Sequence, residues 1–282
     1  MRPTSNSGLV KFVAVAGLAA PLLVLFAAMA TDIGWIGFDF GVGVVTLQWA
    51  WWAAWIGTGL GLAAVALNLG NLGRAWPWLL VAVLAPGLTL AAMLVTKARA
   101  ADLPPVHEVA TDWSEPLAFT NDHVARRGPA AHPIEPDPII PERVAGLNRA
   151  WAPYAGRRVA EVNAETCPGA RTIPRLVSTE EVVAALEAEG VVVIGQAPWR
   201  VEGEQESPWF GRARDVVVRM QPEATDIRSI DRIGLIDLGQ NCDLVTALGE
   251  RLSRWAEAGA HLERPVGRDP AQPNQPDEMR ED

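Results

Sequence analysis

Nearly unbroken apolar runs fill most of the first hundred positions, and beyond about residue 101 they give way to short periodic segments. The hydrocarbon core of a bilayer, about 30 Å thick, is crossed by about 20 apolar residues in a helix. Leu9–Ala30, Gly43–Leu67 and Pro77–Val95 meet that requirement, and the second carries no charge. Lys11 lies near one end of the first run, where its amine can reach the headgroups. Pro86 sits in the middle of the third and is expected to kink the helix rather than break it, because neighbouring groups can satisfy the freed carbonyl. Ala28–Ala30 also has the form of a signal cleavage site, but the run before it exceeds the roughly 7–15 apolar residues of a secretory signal. A buried soluble core is the other alternative, and the length of the charge-free second run opposes it.

Tryptophans gather at the edges of these runs: Trp35, then Trp49, Trp51, Trp52 and Trp55, then Trp76 and Trp78. Indole prefers the membrane–water boundary, so they read as interface anchors, with a cage for a pigment or quinone as the alternative. The spans contain no histidine, which excludes imidazole ligation of haem or chlorophyll there. Three spans put Arg2, Lys11 and Arg74 on one side and Lys97 and Arg99 on the other. The loop holding Asp32 and Asp39 has no base, which favours its export. The positive-inside count therefore places the N-terminus inside and the C-terminal domain on the exported side.

After the spans, Pro104–Phe119 is expected to be extended or irregular. Arg126–Val144 carries prolines 129, 133, 136, 138 and 141, which forbid regular helix and leave a wrapping arm or a linker. Ser178–Gly190 predicts a helix: Ser178 and Glu181 form a capping box, Val182, Val183 and Leu186 an apolar face, and Gly190 a stop. Val191–Trp199 is a continuous β-branched run, expected as a buried strand. Arg200–Ser207 fits a polar strand. Asp215–Met220 alternates, with Val216, Val218 and Met220 opposite Asp215, Val217 and Arg219. The segment from Thr225 to Gly234 is expected to pair with it across a turn near Pro222–Ala224. A final helix is expected from Asn241 or Cys242 to Ala258, with Leu244, Val245, Leu248, Leu252 and Trp255 as its core face and Gly259 as its end. Beyond Pro265 the tail is too polar to bury anything and is expected to be disordered.

The expected fold class is thus α+β: three transmembrane helices, then a small antiparallel sheet of three or four strands packed on two helices. The domains follow as residues 1–100 in the membrane, 101–150 as the Pro-rich arm or linker, 151–262 as the globular domain and 263–282 as the tail.

Charge sharpens this division. The first 100 residues hold five Lys or Arg and two acids, and the remaining 182 hold 19 bases and 31 acids. An acidic domain repels phosphate backbones, so nucleic acid is an improbable partner. Cys167 and Cys242 are the only cysteines, and in an exported domain they could pair, stay free and buried, or bind metal. Neither lies in a CxxC, which leaves redox catalysis little support. His107, His123, His132 and His261 lack the company of a zinc motif, and no cofactor is expected. His107 with Glu108 and Asp112 could form an acid–base group or serve as turn polar groups. Ser178 and Ser229 lack the nucleophile elbow, and Gly57–Ala64 is a helix-packing pattern rather than a nucleotide loop.

Three blocks in order, VHEVATDWSEPLAF (106–119), EEVVAALEAEGVVVIG (180–195) and DVVVRMQPEATDIRSIDRIGLIDLGQN (215–241), resemble the family numbered 1499 among the domains of unknown function. The resemblance runs from about Pro104 to Trp255. It implies an exported domain, because bacterial relatives often carry membrane helices or an export signal, and it implies no reaction. Carried over residue by residue, it points to Arg219, Arg228, Ser229, Arg232, Gly234, Asp237, Gly239 and Asn241. The family tends to have a small hydroxyl residue where Asp231 stands and often an aromatic where Cys167 stands.

Strand geometry puts Arg228, Ile230 and Arg232 on one face, with Arg219 able to join them from the neighbouring strand. Guanidiniums so close repel unless anions intervene, and Asp215, Asp231 and Asp237 are near in sequence. One reading is a structural Arg–Asp network, with Asp237 or Asn241 capping the last helix. The other is an anion site made of Arg219, Arg228, Ser229, Arg232, Asp237 and Asn241 at that helix start. Both fit a membrane-anchored binding or interaction module whose partners are the bilayer, another envelope protein or an anionic small molecule. The alternatives are an envelope enzyme acting on an anionic substrate and a structural subunit of a membrane complex.

Overall fold

The computed structural model describes residues 7–115, 117–207 and 209–262. The expected tail lies outside these residues. Three helices are long and apolar enough to cross a membrane: Gly8–Asp32, Asp39–Leu67 and Ala75–Asp102. The first is α1 (Ser7–Gly17) and α2 (Ala19–Asp32), separated at Leu18. The second opens as a π-helix over Asp39–Ala50 and continues as α3 (Trp51–Leu67). The third belongs to α4 (Leu72–Asp102), which runs through Pro77 and Pro86 without ending.

Small residues let these helices approach. A Cβ on Gly57 would lie 2.9 Å from the Pro86 ring, and one on Gly61 would strike the Ala82 carbonyl. The glycine pattern of the second span is therefore used within the chain, against the third. Two cations lie over indoles of other spans: Lys11 sits 5.7 Å from the ring of Trp78, and Lys97 sits 5.2 Å from that of Trp51. Each contact joins residues that a three-span topology puts on the same side.

The globular part is a five-stranded antiparallel sheet in the order β1-β5-β4-β3-β2. The strands are β1 (Glu108–Ala110), β2 (Val192–Ala197), β3 (Arg200–Glu206), β4 (Ala213–Gln221) and β5 (Ala224–Asp231). The fifth strand comes from the segment read as irregular: Pro104 and Pro105 lie just before β1, and Glu108–Ala110 is free to pair with β5. The run from Val191 differs from its expectation in another way. Its β-branched composition suggested a strand buried on both faces, yet β2 is an edge strand and Val192 is 64% exposed. Composition registers strand propensity, but the position of a strand in a sheet is set by its partners.

The connecting helices are α5 (Asn121–Arg126), α6 (Val144–Leu147), α7 (Val159–Thr166), α8 (Thr179–Ala188) and α9 (Gln240–Leu262). The capping box forms at α8, where the Ser178 and Glu181 side chains each accept from the other's backbone N–H. Helix α9 continues three residues past Gly259, the expected stop. A glycine inside a helix costs about 1 kcal/mol, too little to end it where the turns around it hold.

The main core fills the space between one sheet face and α8 and α9. Val201, Val216, Val218, Met220 and Ile227 meet Val182, Leu186, Leu244, Val245, Leu248 and Leu252. Each large aliphatic so buried contributes about 2 kcal/mol. Cys167, at the end of α7, and Cys242, in the first turn of α9, form a disulfide with Cα atoms 5.7 Å apart. The opposite face is also covered. Leu117 and Phe119 from the segment after β1 pack on Val217 and Ile230, and Ile134 of the Pro-rich arm joins them.

The domain rests directly on the ends of the membrane-length helices. At 1.5 Å per residue, the 31 residues of α4 exceed the hydrocarbon thickness. Its final turns therefore reach a second core of Val106, Ile140, Val144, Trp151, Val159 and Val162, against which Ala100 packs. Trp151 Nε1 donates to the Ala100 carbonyl at 2.8 Å.

Candidate functional site

Alternation along β4 and β5 places Asp215, Val217 and Arg219 beside Asp226, Arg228 and Ile230, facing the arm and away from α8 and α9. A sheet face carrying two arginines and two aspartates would ordinarily be solvated. Here Arg228, Asp215 and Asp226 are buried, because the chain that follows β1 lies across them as far as Glu135. The charges must then be matched by side chains, since removing an ion from water without a partner costs several kcal/mol.

Each arginine has its own partners. Arg228 donates from Nε at 3.0 Å and Nη2 at 2.5 Å to Glu108 Oε2. It also donates to the carbonyls of Leu117 and Glu135 at 2.9 and 2.7 Å, which ties β5 to the arm. Its guanidinium carbon lies 5.4 Å from the centre of the Trp113 ring. Arg232 donates to Asp215 Oδ1 at 2.7 Å and to Glu204 Oε2 at 2.6 Å. Arg219 reaches Asp226 at 3.1 Å and Asp112 at 3.3 Å.

Asp215 is the hub. Besides Arg232 it accepts from Arg127 Nε at 2.7 Å, and His123 Nε2 lies at 2.8 Å. Burial alone would push its carboxyl up, but the hydrogen bonds from His123, Arg232 and Arg127 outweigh it and bring the pKa down to about 2. Burial lowers the Arg232 pKa, but its bonds to Asp215 and Glu204 outweigh this and raise it. Around this hub, Glu202 accepts from the backbone N–H and hydroxyl of Thr120, both at 2.7 Å, and lies 3.4 Å from His123 Nδ1.

His107 stacks on His132 with ring centres 4.0 Å apart, and its Nε2 lies 3.8 Å from Glu108 Oε1. Burial, then the fields of His132, Arg127 and Arg228, lower its pKa to about 3, so the ring is neutral at ordinary pH. Burial raises Glu108 above the ordinary carboxylate range, against the pull of Arg228. His107, Glu108 and Asp112 each have a separate main partner, although His107 and Glu108 remain neighbours. His107 takes His132, Glu108 takes Arg228, and Asp112 takes Arg219.

Ser229, Asp237 and Asn241 sit apart from the arginines, on the α9 side of β5. Ser229 Oγ donates to Asn241 Oδ1 at 2.6 Å, and Asn241 Nδ2 donates to the His107 carbonyl at 3.0 Å. Asp237 accepts from the N–H groups of Gly239 at 2.8 Å and Asn241 at 2.9 Å, so its carboxylate occupies the start of α9. Burial raises the pKa of this carboxyl despite those bonds. Asp231 pairs with Arg212 and Arg214. Of the three aspartates near in sequence, Asp215 alone neutralises one of the three arginines, Arg232.

Sequence proximity identified the cations but missed most of their partners. Asp226 shares a strand face with Arg228 and could have been found by counting in twos. Glu108 stood within a quoted block. Glu202, Glu204, His123, Arg127 and His132 come from other strands or the arm, and no local spacing links them to β5. Separate from this cluster, a cleft of about 220 Å3 opens beside the first turn of α9, lined by residues that include Gln205, Ser207, Arg212, Arg214, Asp231 and Gln240.

The fold and the cluster define a class: a disulfide-linked α+β domain behind three membrane-length helices, with one sheet face closed by ion pairs under a proline-rich arm. Within that class, the chain belongs to the family described as protein of unknown function, DUF1499, whose profile matches residues 108–252, just over half of its length. The match starts at β1 and ends within α9, so it takes in the sheet, the arm and both cysteines and leaves out the spans. No curated protein and no solved structure matches the chain significantly.

Proposed function

We propose that this protein is a membrane-anchored binding or interaction module of the bacterial envelope, with its folded domain on the periplasmic side of the inner membrane. The arginine-bearing strand is its scaffold rather than its ligand site. One observation carries this reading: Arg219, Arg228 and Arg232 each already hold carboxylates from the chain itself. A guanidinium so engaged offers a ligand little, because the ligand must displace a partner that is covalently part of the fold. The enzyme reading calls for a concavity joining His107 to these arginines. The 220 Å3 cleft is lined by none of those residues, and His107 lies against His132 beneath the arm.

Replacing Arg232 with alanine tests the assignment in the full chain in detergent. Asp215 would keep Arg127 and His123 but lose one of its two guanidiniums, at a cost on the order of 2 kcal/mol. The expected result is a lowered melting temperature, with inorganic phosphate having the same small effect on wild type and variant. An unchanged melting temperature, together with loss of a phosphate-dependent stabilisation seen in wild type, would make Arg232 a ligand-holding residue and overturn the scaffold reading.

A further inference from the structure

The two ends of β3 carry exposed tryptophans in different surroundings. Trp199 lies in the turn before β3 and is 60% exposed; Trp209 lies in the loop after it and is 56% exposed. Seven residues of extended chain separate the two loops, roughly 20 Å at strand rise. The second loop touches the end of the first membrane-length helix. Gly211 has φ +59, and a Cβ there would come within 3.2 Å of the Asp32 backbone and 3.4 Å of the Thr31 carbonyl.

The first membrane-length helix ends at Asp32. Two residues of chain reach at most about 7 Å beyond Gly211, so the Trp209 backbone stands within about 12 Å of that helix end. Ile33 and Trp35, just past the helix end, are 60% and 77% exposed. Phe210, between Trp209 and Gly211, has φ +62, a left-handed conformation uncommon for an aromatic residue. The loop is fixed in this shape by its base, where Ser207 N–H donates to the Arg212 carbonyl at 2.7 Å and Arg212 pairs with Asp231. An exposed tryptophan on a turn beside a helix end has the character of a membrane-interface anchor.

We propose that the β3–β4 loop is inserted into the boundary between headgroups and acyl chains. Trp209 lies there alongside Ile33 and Trp35, and the lipid surface is its partner. The domain is then held to the bilayer at a second point besides the end of α4, which fixes its tilt. This inference rests on the spans being in the membrane.

The test uses the full chain in phosphatidylcholine nanodiscs with the native disulfide intact. Trp209→Cys, Trp199→Cys and Phe12→Cys variants are each labelled with a nitroxide, and collision with oxygen is compared with collision with a water-soluble nickel chelate. Phe12 projects outward from the first span and reports on the spans themselves. The expected result is a nickel accessibility at 209 at least threefold below that at 199, with a shallower depth than at 12. Equal nickel accessibility at 209 and 199, with position 12 lipid-embedded, would overturn the anchor and leave the membrane reading standing. Water-like accessibility at position 12 as well would overturn both.

Discussion

His107→Phe isolates a proton-linked contribution to stability. The ring is stacked on His132 from the arm, faces Glu108 of β1, and feels Arg127 from the end of α5 and Arg228 from β5. Burial and these cations lower its pKa from 6.5 to about 3. In the unfolded chain the imidazole binds a proton as pH falls below 6.5, whereas the folded ring stays neutral until about 3. A depressed folded pKa means that the stability is fully present above 6.5 and is lost as pH falls through that window. At pH 5 the unfolded state has gained about 1.5 pH units of proton binding, and at about 1.4 kcal/mol per unit the loss is about 2 kcal/mol.

Phenylalanine keeps a flat ring against His132 and removes the titration. Chemical denaturation of the full chain in detergent, followed by near-ultraviolet circular dichroism, compares wild type and variant at pH 7.5 and 5. Wild type is expected to lose about 2 kcal/mol more than the variant over that interval. Asp215, whose pKa falls from 3.8 to about 2, loses its contribution only at lower pH, and the raised carboxyls of Glu108 and Asp237, which gain stability as pH falls, are present in both proteins. An equal or larger loss in His107→Phe would refute a buried neutral ring and place the acid sensitivity elsewhere.

Other expectations concern the ion pairs, the disulfide and the spans. Arg228→Ala leaves Glu108 buried without its cation and should cost about 3–5 kcal/mol, measured by denaturant midpoint. Adding Glu108→Gln should recover part of that loss. Reducing the Cys167–Cys242 bond, which closes a loop of 75 residues, should cost about 4 kcal/mol in the chain-entropy model. Melting with and without reductant reads this, and a double alanine variant should match the reduced wild type. Gly61→Leu forces the second and third spans apart at Ala82. Its expected effect is a lower yield of folded protein in detergent, whereas the same substitution at Gly59, where a Cβ meets nothing within 4 Å, should be tolerated.

Much of the architecture follows from local chemistry and was legible in the chain. Length and lack of charge determine the three apolar helices, and the capping box fixes the start of α8. The period-two pattern of Asp215–Met220 assigns Val216 and Val218 to the α8–α9 core, and helical spacing does the same for Leu244, Leu248 and Leu252. These signals survive because each depends on neighbours within about one turn or one strand.

What the sequence could not decide is where distant pieces land. Val191–Ala197 has the composition of an interior strand and becomes an edge, because among the described residues no strand pairs beyond β2. Glu108 meets Arg228 across 120 residues, and Glu204 meets Arg232 across 28. Proline spacing identified the stretch after Arg126 as unable to form a helix, but not the sheet face it covers. Ion pairing between distant segments has no period along a chain. Which carboxylate neutralises which arginine is set by desolvation, once the arm has closed over the sheet and every charge beneath it must find a partner within hydrogen-bonding distance.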